Sequence, residues 1–165
     1  MKHVILAATV AASILLNATS AAATANADNT EATNTAIVQK AFAAWAAGTG
    51  SMFDILSPDV VWTIPGSGPV AGTYTGRESF LNEASLPLVD RLSQPVVPKV
   101  HHIWAFEDRV IVRFDGSATT TSGAPYNNQF VWIFRLEDGV VVEAEAFLDL
   151  VAYQNVVENN EVRAD

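Results

Sequence analysis

From residue 96 onward the chain alternates apolar and polar positions with a period of two. Before that point its apolar residues recur mostly at helical spacing. In "TAIVQKAFAAWAAG" the residues Ile37, Val38, Ala41, Phe42 and Trp45 share one helical face, and Gly48 marks the stop. "SMFDILS" predicts a short second helix, and "DVVWTI" a strand ended by Pro65. The glycine- and proline-rich "PGSGPVAGTYTG" reads as a long loop. No Gly-Lys-Ser/Thr follows its glycines, so it is not a phosphate loop. "RESFLNEASLPLVDRL" predicts a helix capped by Thr75 and broken near Pro87. Four strands then follow: "VVPKVHHIWAF" and "RVIVRFDGSA" joined at Glu107-Asp108, and "YNNQFVWIFRLE" and "VVVEAEAFLD" joined at Asp138-Gly139. "VAYQNVV" predicts a last short helix. Helices followed by an antiparallel meander make an α+β domain, with helices covering one face of a curved sheet. Residues 28–34 read as a disordered polar segment and 158–165 as a solvated tail, leaving one domain over 35–157.

The last strand raises a question of chemistry. In "VVVEAEAFLDL" the acids Glu143, Glu145 and Asp149 alternate, so a regular strand places all three on one face with Val141 and Phe147. A two-residue turn at Asp138-Gly139 sets Asn128 opposite Asp149, Phe130 opposite Phe147, Trp132 opposite Glu145 and Phe134 opposite Glu143. Opposed residues share a face, with Cβ atoms about 5 Å apart. That pattern predicts an aromatic wall carrying a few carboxylates, which is how small-molecule pockets are lined. By the same logic the first hairpin sets His102 opposite Arg113, Val100 opposite Asp115 and Trp104 opposite Ile111. The parity of the loop from Ala118 to Pro125 decides whether Arg113 and Asp115 reach the pocket face. Val131 and Ile133 fall on the opposite face of their strand, and an apolar outer face predicts a homodimer.

The opening "MKHVILAATVAASILLNATSAAATANADNT" changes the setting. A short basic start, an apolar run over residues 4–16 and "ANA" at 25–27 form a secretory signal peptide with cleavage near Ala27. The expected location is secreted or periplasmic. Cleavage removes one of nine basic residues and none of the eighteen acidic ones, so the mature protein is strongly acidic. Nucleic acid and anionic membranes are poor partners for it, and no other stretch is apolar enough to cross a bilayer. With no cysteine, disulfides, thiolate nucleophiles and cysteine metal sites are excluded.

Three stretches, "DVVWTIPGSGPVAGTYTGRESF", "YNNQF" and "DGVVVEAEAFLDLVAYQ", resemble the SnoaL-like polyketide cyclases of the nuclear-transport-factor-two-like superfamily, over residues 35–157. The resemblance implies a cone-shaped α+β fold with a deep pocket, often a homodimer, and a catalytic aspartate at Asp149. Ketosteroid isomerases, which resemble this fold, use a tyrosine and an aspartate where this chain has Phe42, Trp45, Trp62 and Thr63. Limonene-epoxide hydrolases use an arginine and two aspartates, which Arg113, Asp115 and Asp149 would match.

Within that frame Asp149, set among Phe130 and Phe147, is the candidate general acid or base, because desolvation raises a carboxyl pKa. Its structural alternative is to cap the "LVAYQ" helix. Asn128 would orient it or donate to an oxyanion, and His102 beside Arg113 would shuttle protons. Trp45, Trp62, Trp104, Trp132, Phe130 and Phe147 would wall a hydrophobic ligand, and Tyr74 would close the mouth. Glu145 either pairs with Arg113 in the pocket or is solvated with it on the outer face. His101 and His102 point to opposite faces of a regular strand and cannot chelate together, so neither a metal nor another cofactor is expected. Three functions stand open: a cofactor-free acid/base isomerase or cyclase, an epoxide hydrolase, and a non-catalytic ligand-binding protein. N-terminal sequencing of the exported protein should begin near Asp28; a sequence still starting at Met1 overturns the export reading.

Overall fold

The computed structural model describes residues 10–164, with side chains from Asn29 onward. Residues 1–9, the start of the expected signal peptide, lie outside the described residues. Helix α1 (Val10–Ala46) carries the rest of that segment and continues through residues 28–34, which are helical where disorder was expected. Two contacts account for the order: a Glu31 carboxylate oxygen accepts the Glu107 N–H at 2.8 Å, and Asn34 is buried. Gly48, at φ 68°, ends the helical stretch in the left-handed conformation that suits glycine. No helix among the described residues is long and apolar enough to cross a membrane.

A single open six-stranded sheet follows, in the order β2-β1-β6-β5-β4-β3. Its strands are β1 (Leu56–Ile64), β2 (Gly72–Thr75), β3 (Leu92–Phe106), β4 (Arg109–Thr120), β5 (Pro125–Glu137) and β6 (Val140–Phe147). The expected antiparallel meander is β3 to β6, but β1 joins β6 in parallel. The segment after β1 is long enough to carry the chain across the inner face before β3 begins. Part of the expected loop is strand β2, which sets Tyr74 opposite Trp62. The expected single helix after it is broken into α2 (Arg77–Phe80), a π-helical turn (Leu81–Ser85) and α3 (Leu86–Val89), with Pro87 in the first turn of α3. Gly76, at φ 92°, rather than Thr75, occupies the cap position, because Thr75 is still in β2. Helix α4 (Leu150–Asn159) closes the chain. The tail after it is exposed, yet it is tied down. The Arg163 N–H donates to Asp90 O at 2.6 Å, Arg91 donates to Asn160 O at 3.0 Å, and Thr121 donates to Glu161 O at 2.7 Å.

Both hairpins turn where the pattern places them, and Asp138 and Gly139 take the positive φ of a tight two-residue turn. The registers beyond the turns differ from a regular ladder. Leu136 faces Val141 as expected, but Arg135 faces Glu143, so β6 carries one extra residue at Val142. Trp132 therefore faces Ala146, Phe134 faces Ala144, Ile133 faces Glu145 and Val131 faces Phe147. A regular register would seat Glu143 and Glu145 under Trp132 and Phe134, and burying carboxylates among aromatic rings costs several kcal/mol each in round figures. The bulge turns alanines inward and leaves Glu143 with Arg135 at 2.8 Å on the outer face. In the first hairpin His102 faces Arg113 as expected, but a second bulge at His101 sets Val100 opposite Phe114 and Lys99 opposite Asp115. The β4–β5 loop has the parity that turns Arg113 and Asp115 outward, opposite Val131 and Gln129.

Candidate ligand cavity

The inner face of the sheet, beneath α1 and the 77–90 segment, holds a cavity of about 390 Å³. Its floor is Trp62 of β1, Ala146 of β6, and Phe130 and Trp132 of β5. Trp45 of α1 and Phe53 close one side, Phe80 with Leu81, Ala84, Leu88 and Val89 another, and Leu148 and Tyr153 lie at the α4 end. The rings form one interlocked set. Trp45 lies parallel to Trp132 at 5.9 Å, Trp62 stacks on Phe80 at 4.0 Å, and Trp62 meets Trp132 edge-on at 5.2 Å. Ala144 and Ala146, opposite Phe134 and Trp132, give the large rings on either side of β6 room to approach across it. Gly116 on β4 serves the same end, since a Cβ there would meet the Phe130 ring at 2.8 Å. Phe130 can thus lie flat against Phe114, at 4.7 Å between centroids.

Among the described residues no carboxylate, histidine, lysine or arginine lines this cavity. Its one titratable group is the Tyr153 phenol, which burial pushes up to about 12 and which donates to Ala84 O of the π-helical turn at 2.8 Å.

Asp149 is not in that wall. It is exposed and caps α4, its carboxylate accepting the N–H groups of Val151 at 2.9 Å and Ala152 at 3.0 Å. The expected meeting of Asn128 with Asp149 occurs through the backbone of Asp149. The Asp149 N–H donates to Asn128 Oδ1 and Asn128 Nδ2 donates to Asp149 O, both at 2.9 Å. Asn128 Nδ2 also donates to the buried Tyr126 hydroxyl at 2.9 Å, and Asn128 Oδ1 accepts the Gln129 N–H. One buried amide thus pins the end of β6 to β5 where strand pairing stops.

Four of the eight expected wall residues, Trp45, Trp62, Phe130 and Trp132, line the cavity. Phe147, Trp104 and Glu145 are exposed on the outer face. Tyr74 packs near Phe80 and donates to Val70 O at 2.8 Å, away from the cavity lining. His102 stacks on Trp104 on the outer face, at 5.1 Å between centroids. Arg113 and His101 each contact Asp115 at 2.7 Å, and together they hold its carboxyl below the usual carboxylate range. Asp115, Asn128 and Asp149 do share an open polar depression with Lys99 on the outer side. Phe53, Phe80, Tyr153 and the 81–89 segment were not among the expected wall residues, because Phe80 and 81–89 reach the cavity through the crossover, and Phe53 and Tyr153 reach it from the segment before β1 and from α4. The helical spacing of Leu81, Ala84 and Leu88 was the available signal. No group of acids and histidines among the described residues is arranged to hold a metal.

The fold agrees with the comparisons. The SnoaL-like domain model matches residues 38–144, and the chain belongs to that family. Among solved structures it is similar to Bal32a, from a soil-derived mobile gene cassette, at 20% identity over 77% of this chain and 98% of that one, with a TM-score of 0.62. A SnoaL-like polyketide cyclase candidate from Jannaschia sp. CCS1 aligns at 20% identity over 79% and 95%, with a TM-score of 0.61. TerC, co-crystallised with polyporic acid, aligns at 23% identity over 77% and 99%, with a TM-score of 0.59. Likenesses at this identity establish the fold. No curated protein matches the chain.

The hydrogen bonds around Asp149 make a stability prediction. Asp149→Ala removes the α4 cap and should cost about 1 kcal/mol, while Asp149→Asn keeps a capping oxygen and should stay within a few tenths. Asn128→Ala strands Tyr126 and both backbone groups of Asp149 and should cost about 3 kcal/mol. Denaturant unfolding of the three variants checks the order; an unchanged midpoint for Asp149→Ala removes the capping role.

Proposed function

We propose that this SnoaL-like protein binds a hydrophobic small molecule in the aromatic cavity on the inner face of its sheet. The cavity wall carries the reading: seven aromatic side chains around a space of about 390 Å³, with no charged side chain among the described residues that line it. Such a wall favours flat, apolar ligands through burial and ring contacts. The relative that was crystallised with polyporic acid supports an aromatic ligand. A proton-transfer step through Asp149 gains no support, because its carboxylate is engaged at the α4 N-terminus. An epoxide-opening step gains none either, because Arg113 and Asp115 lie on the other side of the sheet. The neutral dye N-phenyl-1-naphthylamine tests the reading. It should bind saturably at one site per chain. Trp45→Ala should weaken it by roughly tenfold, the loss of one aromatic contact, while Phe147→Ala on the outer face leaves it unchanged. Binding that does not saturate, or that ignores Trp45, overturns it.

We further propose that the chain is exported, with the processed N-terminus leading directly into α1, and that it pairs as a homodimer through the outer face of the sheet. Trp104 and Phe106, 51% and 66% exposed, stand there beside Ile111, Val131 and Ile133. Apolar faces of this kind usually mark contacts. Sedimentation at about tens of micromolar, an ordinary range for homodimers, should give a dimer that Trp104→Glu returns to monomer. A wild-type monomer at that concentration ends the proposal.

A further inference from the structure

The tail after α4 is exposed, yet its hydrogen bonds converge on one place. The Arg163 N–H donates to Asp90 O at 2.6 Å, and Arg163 Nη1 donates to Leu92 O at 3.1 Å. Arg91 Nε donates to Asn160 O at 3.0 Å, while Arg91 Nη1 donates to Pro87 O inside α3 at 2.8 Å. From the other side the β4–β5 loop fixes the tail. The Thr121 hydroxyl donates to Glu161 O and the Ser122 hydroxyl to Asn160 Oδ1, both at 2.7 Å. Residues 160–163 thus bridge that loop and the Asp90–Leu92 link, which carries the chain from α3 into β3.

The cavity reaches the surface at the same link. Among its lining residues only Leu86, Val89 and Pro95 are exposed; the others are buried or half-buried. Leu86 and Val89 belong to α3 and Pro95 to the start of β3, so they flank Asp90–Leu92. A helix as short as α3 does not hold itself in water. Its position is set at its ends: Tyr153 grips Ala84 O before it, and Arg91 with the tail grips the chain after it.

We infer that residues 160–163 are a strap that controls ligand entry and exit, holding α3 across the mouth of the cavity until the strap lets go. This rests on the binding reading above and adds the control of passage. Each bond is a surface contact of modest net strength, so the strap opens locally while the sheet stays folded. Opening precedes both entry and exit, so it changes both rates together and the affinity little.

Stopped-flow exchange of N-phenyl-1-naphthylamine on the full chain tests it. Arg163→Ala removes the guanidinium bond, and Arg163→Pro removes the N–H bond as well. Association and dissociation rates should both rise, by about 2- to 10-fold for each bond lost. The order should be wild type, Arg163→Ala, Arg163→Pro, with the dissociation constant changing less than either rate. Thr121→Val loosens the tail from the other side and should speed exchange by a similar factor; it carries the test if Arg163→Pro unsettles the fold. Val162→Ala, at an exposed side chain within the strap, should leave both rates unchanged. Saturable binding with rates that ignore the Arg163 and Thr121 substitutions ends the strap reading and leaves the cavity reading standing. A loss of affinity with an unchanged association rate ends it too. If the wild-type chain does not bind the dye, both readings fall.

Discussion

One extra residue in β6 organises the molecule. A carboxylate cannot be buried among aromatic rings without a large desolvation penalty, and residues two apart in a regular strand share a face, so Val141 could not point inward while Glu143 and Glu145 point outward. The strand "VVVEAEAF" meets both constraints with a bulge at Val142. Val141 and Ala144 face inward although they are three residues apart, and Glu143 and Glu145 face outward. Outside, Glu143 joins Arg135, which holds its carboxyl below the usual range. Inside, two methyl side chains replace what would have been two carboxylates. The space left over is what Trp62 and Trp132 converge on.

The rest of the inner face follows from that vacancy. The large rings of β1 and β5 close over the small residues of β6, and Gly116 of β4 lets Phe130 lie flat beside them. The crossover between β1 and β3 then lies across the rings, with a π-helical turn whose Ala84 carbonyl is held by Tyr153 from α4. Helix α4 is held in turn by its Asp149 cap and by Asn128, whose single amide substitutes for strand pairing at the end of β6. The chemistry of the two sides has thus been separated. Aromatic rings occupy the inner face, and nearly all the ion pairs, including the Asp115 contacts with Arg113 and His101, occupy the outer one.

Much of this architecture is legible in the chain. The helical period through Trp45, the stop at Gly48, the four long strands and both hairpin turns are local properties, set by residue periodicity and by turn residues that tolerate positive φ. The resemblance of "DVVWTIPGSGPVAGTYTGRESF" to the SnoaL-like family carried the fold class, and the alternation along β5 placed Phe130 and Trp132 on the aromatic wall. The faces of β6 were misassigned because the register was extended from the turn as though no bulge intervened. The alternation itself held the signal, since "EAEA" cannot keep both glutamates and Val141 on one buried face. Asp149 was assigned to the pocket for the same reason, although its place before "LVAYQ" already suited a helix cap.

The sequence by itself determined the four long strands, both hairpin turns, the helical face through Trp45, and that one side of the sheet would be rich in aromatic rings, because these depend on neighbours within a few residues. Only the tertiary structure decided which acids face the rings, which side Arg113 and Asp115 occupy, and that the 77–90 segment roofs the cavity. Each of those outcomes turns on the register between strands and on the path of a crossover. Both are settled by desolvation and packing summed over the whole inner face, and no local pattern contains that sum.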